Sequence, residues 1–203
     1  MDDIERSFAT ICEMLQDRLE NNPDPEAQAI IDSLREITGE ALKAEAENSS
    51  SFSLTVGKKL RIIYFLQRFK SQDMISAINK DKNDKDKLGY EHYIIVLKDK
   101  STSTSTKSIL ERLKGAEVEI FEIKELIFNI SKHTLVPKHT LIKDEVIIRN
   151  LFEDLHIENK IQLPLILKTD PMARYLNAKP GNILKIVRYP ITSAEHIVYR
   201  AVV

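Results

Sequence analysis

The residues of this chain that come nearest to a catalytic motif are Glu122 and Lys124, which follow a short β-favouring segment. The Glu-x-Lys spacing is typical of metal-dependent nucleases, whose divalent ion also needs an acidic residue from a neighbouring element. The Pro-Asp dipeptide that precedes the motif, Pro23-Asp24, lies far upstream in a turn between two predicted helices. A motif without its partner is only a hypothesis, so we expect two exposed charges at the end of a strand.

Histidine and cysteine give no stronger signal. None of the five histidines has the spacing of metal ligands, either with another histidine or with Cys12, the single cysteine. His133 and His139 flank a proline, where turn hydrogen bonds are the expected role. Gly57-Lys58 lacks the upstream glycine of a phosphate-binding loop, and no Gly-x-Ser-x-Gly motif is present. We therefore predict no catalytic residue, no bound metal and no cofactor.

A run of serine and threonine, Ser101–Thr106, leads into a predicted helix that begins at Lys107. Two interpretations stay open. The run is either a flexible polar loop that ends in a helix cap, or a phosphate-contacting surface of hydroxyls, helix N-terminal N–H groups and lysines that does not read bases. On the second interpretation the candidate DNA-binding residues are Lys98, Lys100, Ser101, Ser103, Thr104 and Lys107.

The elements that must position these groups are predicted from helical and strand periodicity. Helices are predicted at residues 3–20, 25–42, 73–79 and 107–114. Strands are predicted at residues 52–56, 60–66, 92–97, 117–121 and 126–130, the first two as a hairpin through Gly57. The run Lys80–Lys87 contains no apolar residue and is predicted to be a solvated loop. The alternation of strand and helix predicts a mixed α/β domain over residues 1–133.

Charge is distributed unevenly along the 203 residues. Residues 1–50 hold thirteen acidic and four basic side chains, a net −9, while 51–163 and 164–203 are each net +4. The asymmetry fits different partners for the different parts, although a solvated helical face explains the acidity equally well. Neither a membrane-spanning run nor a signal peptide is evident, so we expect an intracellular protein with no membrane partner.

The last forty residues predict a compact unit of their own. Thr169 or Asp170 can cap a short helix at 172–176 that has Pro171 at its first position. A turn at Lys179-Pro180-Gly181 needs a positive φ at its glycine. Strands are predicted at residues 183–188 and 197–202, and Leu165, Ile183, Ile186 and Val198 are expected in the core.

The motifs of this unit resemble the C-terminal assembly domain of the small RNA polymerase subunit that the three eukaryotic nuclear enzymes share and that has a shorter archaeal counterpart. The similarity lies in Leu163-Pro164, Asp170-Pro171-x-Ala173-Arg174-Tyr175, Lys179-x-Gly181, Lys185-Ile186-x-Arg188, Tyr199-Arg200-x-Val202 and, upstream, His133-x-Leu135-Val136-Pro137-x-His139. Asn177 replaces a usual glycine, and Asn tolerates the left-handed conformation. Residues 190–194 also depart from the family's loop sequence.

The resemblance implies a fold and a function. The fold is a small α+β assembly domain over 134–203 behind a restriction-endonuclease-like jaw domain over 1–133. The function is that of a non-catalytic structural subunit of a multisubunit DNA-dependent RNA polymerase. Its partners are the largest subunit, other core subunits and downstream duplex DNA, the last bound without sequence specificity. The implied subunit-interface residues are Pro164, Asp170, Pro171, Arg174, Tyr175, Lys179, Gly181, Lys185, Arg188, Tyr199 and Arg200.

The nearly neutral, Lys-, Ile- and Asn-rich composition and the divergent first half look more like the homologue encoded by large cytoplasmic DNA viruses than like a nuclear one. We then expect the protein in the cytoplasm of infected cells and in the virion, and otherwise in the nucleus. The alternatives are a stand-alone DNA-binding or nuclease-derived protein of the same jaw fold, and a free transcription regulator. Asp170 itself is expected to cap a helix rather than to bind a ligand.

Overall fold

A computed structural model of the chain describes residues 3–21, 25–35, 37, 39–56, 60–67, 72, 76, 90–98, 116–190 and 194–203. Two compact units are present, each of mixed α and β structure with its own sheet. The N-terminal unit consists of residues 1–12 and 24–128, and the C-terminal unit consists of residues 13–23 and 129–203. Within the described ranges, no helix is long and apolar enough to cross a membrane.

The first fifty residues form helices α1 (Asp3–Asn21), α2 (Pro25–Arg35) and α3 (Gly39–Asn48). The prediction of one continuous helix over 25–42 is therefore wrong, because α2 ends at Arg35 and a separate helix, α3, begins at Gly39. The N–H of Ile37 donates to the Leu34 carbonyl (3.2 Å) and closes the last turn of α2. A Cβ on Gly39 would lie 2.7 Å from a carboxylate oxygen of Glu5, the flexible end of a side chain that can move aside.

The N-terminal sheet has strand order β1-β2-β3-β4, with β1 Ser51–Val56, β2 Leu60–Phe65, β3 His92–Leu97 and β4 Glu117–Glu122. β1 and β2 are antiparallel, and β2, β3 and β4 are parallel. The strands predicted for these segments are confirmed. Nearly every residue of β2 and β3 is buried, as expected for continuous apolar strands in the middle of a sheet. The helix predicted at 107–114 and the loop at Lys80–Lys87 lie outside the described residues, as does the helix predicted at 73–79 apart from Ser76, which is helical.

The strand predicted at 126–130 is wrong. A 3-10 helix covers Ile123–Leu126 and a second covers Ile130–Lys132. The carboxylate of Glu125 accepts a hydrogen bond from the N–H of Glu122 (3.0 Å), which turns the chain at the end of β4. This local capping competes with strand propensity and explains the difference.

The C-terminal unit contains β5 (Lys138–Ile142), α4 (Glu145–Leu155), β6 (Leu165–Ile166), α5 (Pro171–Tyr175), β7 (Ile183–Arg188) and β8 (His196–Val202). The sheet order is β5-β7-β8-β6, antiparallel except for the β6–β8 pair, which is parallel. Helix α4 was not predicted from the sequence. Asp144 caps it by accepting a hydrogen bond from the Val146 N–H (2.8 Å), and Leu151 packs in a cluster with Ile142 and Ile183.

The contact-based division of the chain differs from the predicted boundary at residues 133 and 134. Helix α1 enters the C-terminal unit at Glu13, and the segment from Asn129 onwards also belongs there. The sequence did not predict that residues 13–23 belong to the C-terminal unit. The periodicity of a helix shows that it has an apolar face but does not show which segment covers that face.

Candidate docking surface of the C-terminal unit

The corner before α5 forms as its sequence predicts. The carboxylate of Asp170 accepts hydrogen bonds from the N–H groups of Met172 (2.9 Å) and Ala173 (3.4 Å), with Pro171 as the first helical residue. Asn177 has φ 50° and Gly181 has φ 89°, so both positive-φ predictions are confirmed. Asp170 thus makes an internal cap, which satisfies the first N–H groups of α5.

Tyr175 is buried, and its hydroxyl donates a 2.6 Å hydrogen bond to the carboxylate of Asp17 on α1. Burial, with the neighbouring Asp17 carboxylate, raises the pKa of Tyr175 far above its ordinary value. Arg18 donates from Nε to the carbonyl of Tyr175 (2.7 Å) and from Nη2 to that of Arg174 (3.1 Å). The Ala173-Arg174-Tyr175 motif therefore binds α1 inside the unit, and contact of Tyr175 with another subunit stays a prediction.

A second group of contacts joins α1 to the segment that precedes β5. Glu13 accepts hydrogen bonds from Nζ of Lys132 (2.7 Å) and from the side-chain amide of Asn129 (2.8 Å). Burial alone would raise the pKa of Glu13, but these hydrogen bonds and the Lys132 charge lower it overall. The hydroxyl of Ser131 donates to Asp17 at 3.0 Å. Residues 13–18 are therefore a structural part of the C-terminal unit.

The register of the sheet separates the predicted interface residues onto two faces. Lys185 is paired with Tyr199, and Tyr199 packs against the cluster that includes Ile183. Because successive side chains of a strand point to opposite faces, Arg188 and Arg200 lie on the other face. His139 is also on that face, since its partner in the register is Ile186, two residues before Arg188.

Arg188 and Arg200 form a cationic face around His139. Neither arginine pairs with a carboxylate of the described residues. Burial lowers the pKa of His139, the two arginines lower it further, and a hydrogen bond to the Pro137 carbonyl and the charge of Asp170 oppose the shift. Nδ1 of His139 donates that 2.7 Å hydrogen bond, so the turn role predicted for this histidine is confirmed.

An exposed apolar surface lies beside the cations, at the edge of the sheet formed by β6. Leu165 is 49% exposed, Leu167 63% and Val203 46%. The guanidinium of Arg200 reaches this edge and donates from Nη1 to the carbonyl of Leu165 (3.2 Å). We call Leu165, Leu167, Val203 and Arg200 the edge surface. The prediction that Leu165 is a core residue is wrong, because β6 is the outermost strand and no described element covers its outer side.

The remaining predicted residues border the edge surface or support it. Pro164 is exposed, and its carbonyl accepts from the N–H of Ala201 in β8 (2.9 Å). The N–H of Gly181 donates to the carbonyl of Val202 (2.9 Å), so the Lys179-Pro180-Gly181 turn is fixed to the end of β8. Nζ of Lys160 donates to the carbonyl of Gly181 (2.7 Å). The structure thus brings Pro164, Gly181 and Arg200 together around the end of β8.

Of the candidate DNA-binding residues, the structure describes Lys98, which is exposed just after β3. Its N–H donates to the carbonyl of Phe65 (3.0 Å), and its side chain lines a cavity of about 780 Å³ whose wall also contains Asp3 and Glu47. Those carboxylates reduce the positive potential around Lys98. The other five candidates lie outside the described residues: Lys100, Ser101, Ser103, Thr104 and Lys107.

Glu122 and Lys124, the nuclease-like pair, lie at the junction of β4 and the following 3-10 helix. Lys124 is exposed, as predicted, whereas Glu122 is half-buried, so the prediction of two exposed charges is wrong for Glu122. In the ranges that the structure describes, no group of three or more His, Cys, Asp or Glu side chains is arranged to hold a metal ion. The pair therefore draws no support from a neighbouring acidic cluster in those ranges.

Comparison with known proteins identifies the C-terminal unit. Residues 128–202 match the family model of the RNA polymerase Rpb5 C-terminal domain. This part of the chain belongs to the Rpb5 family. The resemblance inferred from the motifs between His133 and Val202 is thereby confirmed, and the match begins at Phe128, close to the start of the C-terminal unit at Asn129.

Several relatives of the Rpb5-like chain are known by name. It is 28% identical over 194 residues to the DNA-directed RNA polymerases IV and V subunit 5B of Arabidopsis thaliana, which covers 95% of this chain and 86% of the relative. It is 35% identical over 114 residues to the DNA-directed RNA polymerases I, II, and III subunit RPABC1 of Caenorhabditis elegans, covering 54% of this chain and 51% of the relative. The first similarity extends through both units.

Reasoning from the sequence overlooked part of the Rpb5-like surface. The exposed side chains of Leu165 and Leu167 belong to an apolar run that is typical of a core strand. The nearby polar corner at Thr169-Asp170 indicated that the run ends at the surface, and this signal could have identified an edge strand. Asp17 and Arg18 carried no local signal, because their partners lie at the other end of the chain.

Proposed function

We propose that this chain is a non-catalytic structural subunit of a multisubunit DNA-dependent RNA polymerase and that its C-terminal unit docks on the largest subunit. The observation that carries the proposal is the edge surface, where exposed Leu165, Leu167 and Val203 lie beside Arg200. The relatives, which are named as RNA polymerase subunits, support the assignment to the assembly.

The chemistry of the edge surface suits a protein partner. Apolar side chains that are about half exposed lose water-accessible area when a partner covers them, which stabilises association. Arginine beside such a patch provides planar hydrogen-bond donors for a carboxylate of the partner and is common at interface centres. Arg188, exposed on the cationic face, adds long-range attraction to an acidic partner.

The N-terminal unit has a separate role in the proposal. It is a jaw domain of the restriction-endonuclease-like class that faces downstream duplex DNA, and Lys98, Lys100 and Lys107 contact phosphates without reading the base sequence. The exposure of Lys98 and the hydroxyl-rich sequence of Ser101–Thr106 support this role. The catalytic chemistry of the polymerase then belongs to the large subunits.

The place of action follows from the assembly. A chain encoded by a cellular genome acts with its polymerase in the nucleus, and one encoded by a large cytoplasmic DNA virus acts in the cytoplasm of infected cells and is carried in the virion. The Lys-, Ile- and Asn-rich composition favours the viral origin. Fractionation of the producing cells with an antibody against the chain distinguishes the two.

Reconstitution with the polymerase core tests the docking proposal. Tagged full-length chain is mixed with core lacking this subunit, and the bound large subunits are quantified. Leu167→Asp should weaken recovery at least about tenfold, because it places a charge in an apolar contact. Val146→Asp is the matched control: Val146 is 61% exposed near the start of α4, where an acidic residue is well tolerated. Equal losses in both variants contradict docking through the edge surface.

A further inference from the structure

The outer side of β6 carries a distinctive set of backbone groups. The carbonyls of Pro164 and Ile166 accept hydrogen bonds from Ala201 and Val203 of the β8 segment, both at 2.9 Å. The N–H of Lys168 donates to the carbonyl of Val203 at 2.7 Å. Alternate residues of this segment therefore point towards β8. Since the backbone groups of successive strand residues point in opposite directions, those of Leu165 and Leu167 point outwards.

Hydrogen-bond donors dominate this outer side. The N–H groups of Leu165 and Leu167 have no acceptor among the described residues. The Leu167 carbonyl already accepts from the N–H of Asp170 (2.9 Å), and the Leu165 carbonyl accepts from Nη1 of Arg200 (3.2 Å). Nε of Arg200 is shielded from solvent and also has no acceptor among the described residues. Unsatisfied donors at a partly apolar surface favour a ligand that supplies acceptors.

Resting on the proposed function, we propose that an extended, carboxylate-bearing segment of the partner polymerase subunit adds to the sheet as a strand along β6. Its backbone carbonyls accept from the N–H groups of Leu165 and Leu167, which are about 6.6 Å apart because a strand rises about 3.3 Å per residue. Its carboxylate pairs with the guanidinium of Arg200. Its apolar side chains cover Leu165, Leu167 and Val203.

The exposed apolar side chains of the edge surface favour a carboxylate-bearing peptide over DNA as the ligand. A phosphate backbone could accept the same hydrogen bonds, but it would leave the exposed leucines and Val203 in water or against charge. An extended peptide satisfies the donors and buries the apolar side chains together, which is how an edge strand recruits an added strand. The short length of β6, two residues, limits the contact to a few ladder hydrogen bonds.

Two substitutions at one position separate the backbone contact from the side-chain contact. Leu165→Pro removes an N–H that the fold does not use, and proline is tolerated at such an outward edge position. Leu165→Ala removes the apolar side chain and keeps the N–H. In the reconstitution assay with full-length chain and polymerase core, Leu165→Pro should weaken binding at least about tenfold more than Leu165→Ala, because the ring also blocks the incoming strand.

Amide hydrogen exchange in the unaltered full-length chain provides an independent measurement, even where Leu165→Pro fails to fold. Assembly with the core should slow exchange of the Leu165 and Leu167 amides at least about tenfold. If the chain assembles while these amides exchange as before, strand addition is wrong and the docking proposal stands. If duplex DNA alone, or a higher concentration of the chain alone, slows exchange of these two amides, the proposal that a partner peptide occupies this edge is wrong. Failure of the unaltered chain to assemble contradicts the proposed function itself.

Discussion

The hydroxyl of Tyr175 lies 2.6 Å from the carboxylate of Asp17, which precedes it by 158 positions in the sequence. This hydrogen bond ties the last turn of the short helix Pro171–Tyr175 to the first helix of the chain. Because Ser131 also donates to Asp17 (3.0 Å), three distant segments meet at one carboxylate. The C-terminal unit therefore includes residues that a division at position 134 would remove.

Replacing the hydroxyl measures this contact. Tyr175→Phe should lower the free energy of unfolding of the C-terminal unit by about 1–3 kcal/mol, since a hydrogen bond to a charged group is lost and its apolar surroundings are kept. Tyr199→Phe is the matched control, because the Tyr199 hydroxyl makes no hydrogen bond with a described residue. Urea unfolding, followed by a spectroscopic probe placed in the C-terminal unit, measures the free energy of unfolding of each variant. Equal changes in both variants would show that the Asp17 contact adds no stability.

Arg18 supports the same helix from its carboxyl end. Arg18→Ala should destabilise the C-terminal unit by about 1–3 kcal/mol, because the carbonyls of Arg174 and Tyr175 lose charged donors in a half-buried site. Arg35→Ala is the control, since its 3.7 Å ion pair with Asp32 is largely exposed and contributes little. Thermal unfolding of the two variants compares them, and an Arg18→Ala midpoint equal to that of the control would be evidence against this support.

The pH dependence of stability should report on His139. Its pKa is lowered in the folded chain, chiefly by burial, so the unfolded chain binds more protons at mildly acidic pH. Stability from this group is complete above the ordinary pKa of 6.5 and is lost as the pH falls from there through the lowered pKa of the folded state. His139→Gln should flatten unfolding free energy against pH in this window.

Arg188→Gln provides a graded check on His139. Since the Arg188 charge contributes to the lowered pKa of His139, its removal should raise that pKa and narrow the pH range over which stability is lost. Lys138→Gln, on the residue next to His139, serves as the control. The pKa values are measured by histidine NMR titration. A pKa of His139 that is the same in wild type and Arg188→Gln would contradict the arrangement of the cationic face.

Local signals made much of the C-terminal unit predictable. Asp170 before Pro171 is a helix start that can be recognised from residue type alone, and Asn177 and Gly181 are residue types that tolerate positive φ. Helix Glu145–Leu155 has comparable signals, with Asp144 as cap and Ile148, Leu151 and Phe152 at helical spacing, although it was not among the predicted helices. Long-range pairing left no such trace: nothing near Asp17 indicates Tyr175.

The same distinction applies to the candidate docking surface. Pro164, Gly181 and Arg200 were identified through the family resemblance, whereas the exposure of Leu165 and Leu167 depends on the position of β6 in the sheet order. Sheet order is decided by contacts between strands far apart in the sequence, so an apolar run looks alike at the centre and at the edge. The DNA-binding candidates, Lys98 included, remain predictions.

Contact with downstream DNA should depend on salt in a defined way. Replacing Lys98, Lys100 and Lys107 with Ala should flatten the slope of log affinity against log salt by roughly 1 to 3 units, because each phosphate contact contributes about 0.9. Sequence preference should not change. Elongation-complex stability over a salt series, on two unrelated downstream sequences, measures both effects, with Lys143→Ala as an exposed control. An unchanged slope would contradict the proposal that these three lysines contact DNA phosphates.

The most direct test of the central claim is the stoichiometry of assembly. Tagged full-length chain, expressed in the cells that make the polymerase, should co-purify with the two largest subunits in equal amounts. Arg200→Glu should reduce recovery of both subunits at least about tenfold, because the new glutamate would face the carboxylate of the proposed partner segment at the edge of β6. Lys143→Glu, on an exposed residue away from this edge, should recover them as wild type does. Wild-type chain that purifies without the large subunits, or equal recovery with Arg200→Glu, would contradict the account.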